Sequence, residues 1–124
     1  MSRKHGYRKD TNHDEIADAF RAIGFTWIDT PGVGDGFPDG LALTPHSHVL
    51  LVEIKVPGQD VNRFEFEFAI QHEREYTVVC SEQDVRQIGA AYASDLGIDW
   101  MYDWLALLTQ GNSRALREGR PPRA

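Results

Sequence analysis

The chain predicts an α/β domain built on a central mixed β-sheet, on three observations. Helix-period and strand-period apolar patterns alternate along its 124 residues. Pro45-His46-Ser47 separates two apolar runs in the manner of a hairpin turn. The second run, Val49 to Val56, carries Glu53 and Lys55 on one face and Val52, Ile54 and Val56 on the other, because strand side chains alternate. A buried strand excludes unpaired charge, so two charges in consecutive same-face positions require a partner chemistry.

Taken in order, Thr11 or Asn12 can cap a first helix that places Asp14, Glu15 and Asp18 near its positive end. Ile16, Ala19, Phe20 and Ile23 recur at helical spacing, and Gly24 stops the helix. Phe25-Thr26-Trp27-Ile28 reads as a strand. Thr30 to Pro38, with Gly32, Gly34 and Gly36, is a loop able to let backbone pass close to a ligand. Leu41 to Leu43 and Val49 to Val56 pair across the turn; centred on His46, that pairing sets Asp39 level with Glu53.

Pro57-Gly58-Gln59 ends the strand. Phe64, Phe66 and Phe68 alternate like a strand, but the length of the segment from Asn62 to His72 favours a helix with Phe64, Phe68 and Gln71 on one face. Tyr76 to Cys80 is a further strand, with Cys80 a buried thiol. Ser81-Glu82-Gln83-Asp84 resembles a capping box opening a helix with Val85, Ile88 and Ala91 inward. A last helix runs roughly from Asp99 to Thr109, where Trp100, Met101 and Trp104 form a stripe suited to core packing or to a second subunit. The expected organisation is one domain over 1–124. It has a basic arm at 1–11, a core at about 12–92, and a C-terminal helix with basic tail at 95–124.

Composition narrows the setting. One cysteine excludes an internal disulfide and suits a reducing cytosol, and no stretch is apolar enough to span a membrane. The N-terminus lacks a secretory pattern, so a cytoplasmic protein is expected. The net charge of −6 divides unevenly: residues 1–10 and 112–124 each carry +3, leaving −12 on the body between them. Such a body grips phosphate poorly unless a divalent cation or a local patch reverses the field. The tails read as solvated, disordered ends, or as clamps for nucleic acid through Arg3, Lys4, Arg8 and Lys9.

Gly36-Phe37-Pro38-Asp39 before the hairpin, and Glu53-Ile54-Lys55 on its second strand, resemble the signature of the PD-(D/E)xK nuclease superfamily. Within it the similarity is to small VRR-type nucleases and archaeal-type Holliday-junction resolvases, over roughly residues 13 to 91. The resemblance implies a restriction-endonuclease-like core and a Mg²⁺- or Mn²⁺-dependent DNA endonuclease of phage or bacterial recombination and repair. It assigns Asp39, Glu53 and the Ile54 carbonyl to the metal, with Glu15 as a further acid, and Lys55 to the attacking water and the phosphate. It also implies a homodimer acting on branched DNA. Glu65 departs from the pattern, since many relatives carry glutamine on that helix, and an added carboxylate repels phosphate.

Each residue also has an ordinary role: Asp39 as a turn residue after Pro38, Glu53 and Lys55 as a surface cross-strand pair, Glu15 as a first-turn acid. Taken jointly, order and spacing favour the hydrolytic site. The alternative is a catalytically silent nuclease fold serving as a binding or assembly subunit. His46 and His48 are solvated turn residues on this reading, and His72 and Arg74 belong to a helix end. Arg63 is the best single candidate for a phosphate contact.

Overall fold

The computed structural model describes residues 11–123. Helix α1 (His13–Ala22) leads into β1 (Thr26–Asp29), β2 (Gly40–Leu43) and β3 (Val49–Ile54). Then follow α2 (Arg63–Gln71), β4 (Tyr76–Val79), α3 (Glu82–Ala93), α4 (Ile98–Asn112) and α5 (Arg114–Glu118). The strands form one sheet in the order β1-β2-β3-β4, with β1/β2 and β2/β3 antiparallel and β3/β4 parallel. The α2 crossover is what permits the parallel step, because a tight turn joins only antiparallel neighbours. The fold is therefore α/β with a mixed sheet and helices packed against it, as the element order predicts.

Strand alternation decides the layering. Ala42, Leu50, Val52, Ile54 and Val79 point to one face and join Ile16, Phe20, Val85, Ile88, Met101 and Leu105 of α1, α3 and α4 in the larger core. Leu51, Tyr76 and Val78 point to the other face and pack with Phe66 and Ala69 of α2 and Ala115 of α5. Glu53 and Lys55 share this second, smaller face, as β3 periodicity requires. The hairpin register pairs Gly40 with Val52 and Leu43 with Val49, so Asp39 falls level with Glu53 as expected.

The outer edge of β4 is covered rather than left open. Thr109 Oγ1 accepts from the Val78 N–H at 3.3 Å, and Asn112 Nδ2 donates to the Val78 carbonyl at 2.8 Å. Side chains of α4 thus satisfy the backbone groups that an edge strand would offer to another chain. With Met101 and Leu105 fully buried, α4 belongs to the core and is not an appendage to it.

Five expectations need correction. The Asn12 side chain does not cap α1; its Nδ2 donates to the carbonyls of Lys55 (3.2 Å) and Cys80 (2.9 Å), tying the helix start to the ends of β3 and β4. Cys80 is half-buried, because β4 has ended by that position. The buried face of α2 is Phe66 and Ala69, whereas Phe64 is 61% exposed and Gln71 is exposed. Residues 114–118 are helical rather than a loose tail: Asp60 accepts from Ser113 Oγ (2.6 Å) and from the Ala115 N–H (3.0 Å), holding the start of α5. Ser81 caps α3 through the Asp84 N–H, but Asp84 accepts from the Cys80 N–H, so the box is displaced by one residue. The N-terminal arm, with Arg3, Lys4, Arg8 and Lys9, lies outside the described residues.

Candidate functional site

Four ionisable side chains meet where β3 leaves the sheet. Asp39 ends the loop before β2, and its Oδ2 accepts from the Ile54 N–H at 2.8 Å. That bond spans the hairpin and holds the carboxylate against the end of β3. Ile54 thus acts on the site through its N–H, while its side chain is fully buried in the opposite core. Glu53 and Lys55 are 3% and 7% exposed, so they are not the wet surface pair that spacing alone permits.

Lys55 Nζ lies 3.6 Å from Glu53 Oε2 and 2.9 Å from Glu65 Oε1. Glu65 therefore has a defined place. It is the N3 residue of a capping box, its Oε1 accepting from the Asn62 N–H (2.8 Å) while its own N–H donates to Asn62 Oδ1 (2.8 Å). The helix cap that starts α2 is the same carboxylate that grips Lys55.

The electrostatics are unbalanced. Burial, and after it the charges of Asp39 and Glu65, push the Glu53 carboxyl well above the usual carboxylate range; Lys55 acts in the other direction without offsetting them. Glu53 Oε1 is buried without a hydrogen-bond partner among the described residues, while Lys55 Nζ stands beside both Glu53 and Glu65. Three acids and one ammonium group leave an excess of negative charge in a poorly solvated place, and an oxygen-ligated divalent cation would neutralise it. Among the described residues no three or more His, Cys, Asp or Glu side chains form a ready cage for a metal ion. Asp39 and Glu53 with open positions suit Mg²⁺, which retains water and takes phosphate oxygens rather than a full set of protein ligands.

Tyr76 is a part of this neighbourhood that sequence reading missed. It is 1% exposed, its hydroxyl has no hydrogen-bond partner among the described residues, and burial followed by the charges of Glu53, Glu65 and Asp39 raises its pKa well above the ordinary value. Its position opposite Leu51, on the Glu53 face of the sheet, follows from the parallel register of β3 and β4, which no local pattern reveals.

Asp39 and Glu65 line a cleft of about 410 Å³ between the glycine-rich loop and the start of α2. Gly36, at φ +79°, packs so tightly on the Phe64 carbonyl that a Cβ would overlap it. The close approach expected of this loop is thus made to the protein's own helix. Phe64 and Val33, 61% and 56% exposed, stand at the cleft's rim.

The remaining candidates distribute as follows. Glu15, on the first turn of α1, is exposed, and the charges acting on Glu53 are those of Asp39, Glu65 and Lys55. Arg63 is 58% exposed and sits 3.4 Å from Glu67, outside the cleft that Asp39 lines. Arg74 donates to Asp99 at 2.7 Å and covers the Tyr102 ring, a helix-end role. His46 is exposed in the turn, and His48 Nδ1 lies 3.2 Å from Thr44 Oγ1.

Compared with known protein families, with curated proteins and with solved structures, the chain matches none of them.

Proposed function

We propose that the protein is a divalent-cation-dependent phosphodiesterase acting on DNA, with a restriction-endonuclease-like arrangement of its sheet and Asp39, Glu53 and Lys55 as the catalytic set. One observation carries the reading: the buried Glu53 carboxyl has an oxygen with no hydrogen-bond partner among the described residues, beside the acids Asp39 and Glu65, with a lysine within 4 Å. A merely structural pair would not bring two acids to one buried ammonium group with the charge of a third acting on Glu53, because desolvated like charges oppose folding. The motif order, Pro38-Asp39 before a hairpin and Glu53-Ile54-Lys55 on its second strand, supports the same conclusion.

Hydrolysis joins a water oxygen to phosphorus and breaks the bond to the 3′ oxygen. That oxygen departs with the bond's electron pair and takes up a proton, leaving a 5′-phosphate and a 3′-hydroxyl. Asp39 and Glu53 would hold Mg²⁺ or Mn²⁺, which when bound polarises the phosphate and lowers the pKa of water. Asp39 is oriented for its part by the Ile54 N–H. Lys55, aimed by Glu65, places positive charge where the phosphate gains negative charge. Burial on the face covered by α2 limits the bulk water that would weaken these interactions.

The test is incubation of purified protein with plasmid, linear duplex and four-way junction, each with and without Mn²⁺. Cleavage in Mn²⁺ that falls by about 100-fold or more in Asp39→Ala and Lys55→Ala, with far-UV spectra unchanged, is the expected result. Wild-type rates in either variant would remove that residue from the mechanism. The firm grip of Glu65 on Lys55 favours one second reading, a silent nuclease-like fold that binds or assembles without cutting. Absence of cleavage on every substrate would select it.

A further inference from the structure

Beside the cleft that holds Asp39 and Glu65 lies a second, wider one of about 680 Å³, lined by Asn62, Arg63, Phe64, Glu67 and Arg123. Asn62 and Phe64 belong to both. The Phe64 ring therefore stands on the divide between an acidic depression and one carrying two arginines. It is one of the most exposed large apolar side chains among the described residues, and Val33 faces the same acidic cleft at 56% exposure. Its backbone is fixed on both sides, by the tight seat of Gly36 on the Phe64 carbonyl and by the Asn62–Glu65 cap. The ring is thus presented to solvent by a rigid base, which limits the ordering entropy lost when a flat ligand covers it.

We infer that Phe64 is a stacking platform for an unpaired nucleobase, and that Arg63 and Arg123 receive the adjoining phosphate of the same strand. The substrate class is then a nucleic acid with single-stranded character beside the scissile phosphate, and not an intact duplex. The inference takes its ligand chemistry from the hydrolytic reading and specifies what that site accepts. Aromatic faces bind any base without sequence preference, whereas a paired base keeps its own faces inside the stack. The charge pattern agrees with this direction of travel. The carboxylates repel a bare phosphate unless a cation is present, while Arg63 and Arg123 attract one on the far side of the ring. Among the described residues Arg63 pairs with Glu67 at 3.4 Å, both side chains being more than half exposed, and such surface pairs are weak and readily exchanged.

The test is fluorescence anisotropy of a labelled oligonucleotide, single-stranded or as a blunt duplex of equal length, bound to the full chain in EDTA over a range of salt. The single strand should bind more tightly than the duplex. Phe64→Ala should weaken single-strand binding by about 10-fold at every salt concentration, and Phe64→Trp should restore it. The double variant Arg63→Ala/Arg123→Ala should reduce the slope of log affinity against log salt by about 0.7, as expected for one neutralised phosphate on a single strand. Equal affinity for single strand and duplex, no single-strand binding at low salt, or a Phe64→Ala variant that binds like wild type would overturn the inference. Because no divalent ion is present, the outcome separates from the cleavage assay. Binding without cutting in Mn²⁺ sinks the hydrolytic reading alone, and cutting with an indifferent Phe64 sinks the platform alone.

Discussion

Glu53 sets stability against the role proposed for it. Its carboxyl is raised by burial and by two neighbouring acids, so its ionised form weakens the native state. A carboxyl raised on folding contributes stability below its ordinary range and loses it as pH climbs through the raised value. Glu53→Gln removes the charge and keeps the shape. In metal-free buffer at neutral pH this variant should be more stable than wild type by about 1 kcal/mol or more, read by urea denaturation, while cleavage is lost. A variant less stable than wild type would mean that Lys55 depends on Glu53 more than the acids repel it. Glu53 and Lys55 were legible in the sequence because a strand interior has no other reason to carry charge. Tyr76 was not, since a tyrosine in an apolar run looks like any core residue until the β3/β4 register sets it beside the acids.

At the level of elements, the helices are held by polar ties that join distant segments. Asn12 links α1 to the ends of β3 and β4, and Thr109 and Asn112 link α4 to the outer edge of β4. Asp60 does the same for α5, accepting from Ser113, Ala115 and Val61. Burial alone would raise the Asp60 carboxyl, but these hydrogen bonds outweigh it and hold the group below its ordinary value of 3.8. A carboxyl lowered on folding contributes stability above its ordinary value and loses it as pH falls through the lowered one. Wild type should therefore lose stability below about pH 4, and Asp60→Asn should lose less there. At neutral pH Asp60→Asn should cost about 1–2 kcal/mol, the scale of weakened charge-assisted hydrogen bonds. Parallel denaturation curves for the two proteins at pH 3 and pH 7 check both statements.

For the molecule as a whole, the division of charge and the two-sided sheet set the logic of the site. The larger core on α1, α3 and α4 secures the fold, so the face under α2 and α5 can carry buried acids. A cation that binds only the native state must then raise thermal stability by mass action. At 100 times its dissociation constant, Mn²⁺ should add about 2.7 kcal/mol. For a domain of this size, that amounts to a rise of roughly 10 °C in midpoint. Asp39→Asn and Glu53→Gln should abolish most of that rise. A midpoint in wild type that is indifferent to Mn²⁺ and Mg²⁺ at millimolar concentrations would refute a metal site here, whatever the outcome of cleavage assays.

Local chemistry was enough to determine the order of helices and strands as far as α4, the hairpin register that levels Asp39 with Glu53, and the charged face of β3. Each of these depends on periodicity and turn residues within a few positions of one another. Tertiary structure alone decided the face of α2 that is buried, the partner of Lys55, the role of Asn12 and the docking of residues 114–118 as a helix. Those outcomes depend on contacts between residues far apart in the chain, whose energies exceed the small local preferences that a short stretch of sequence can express.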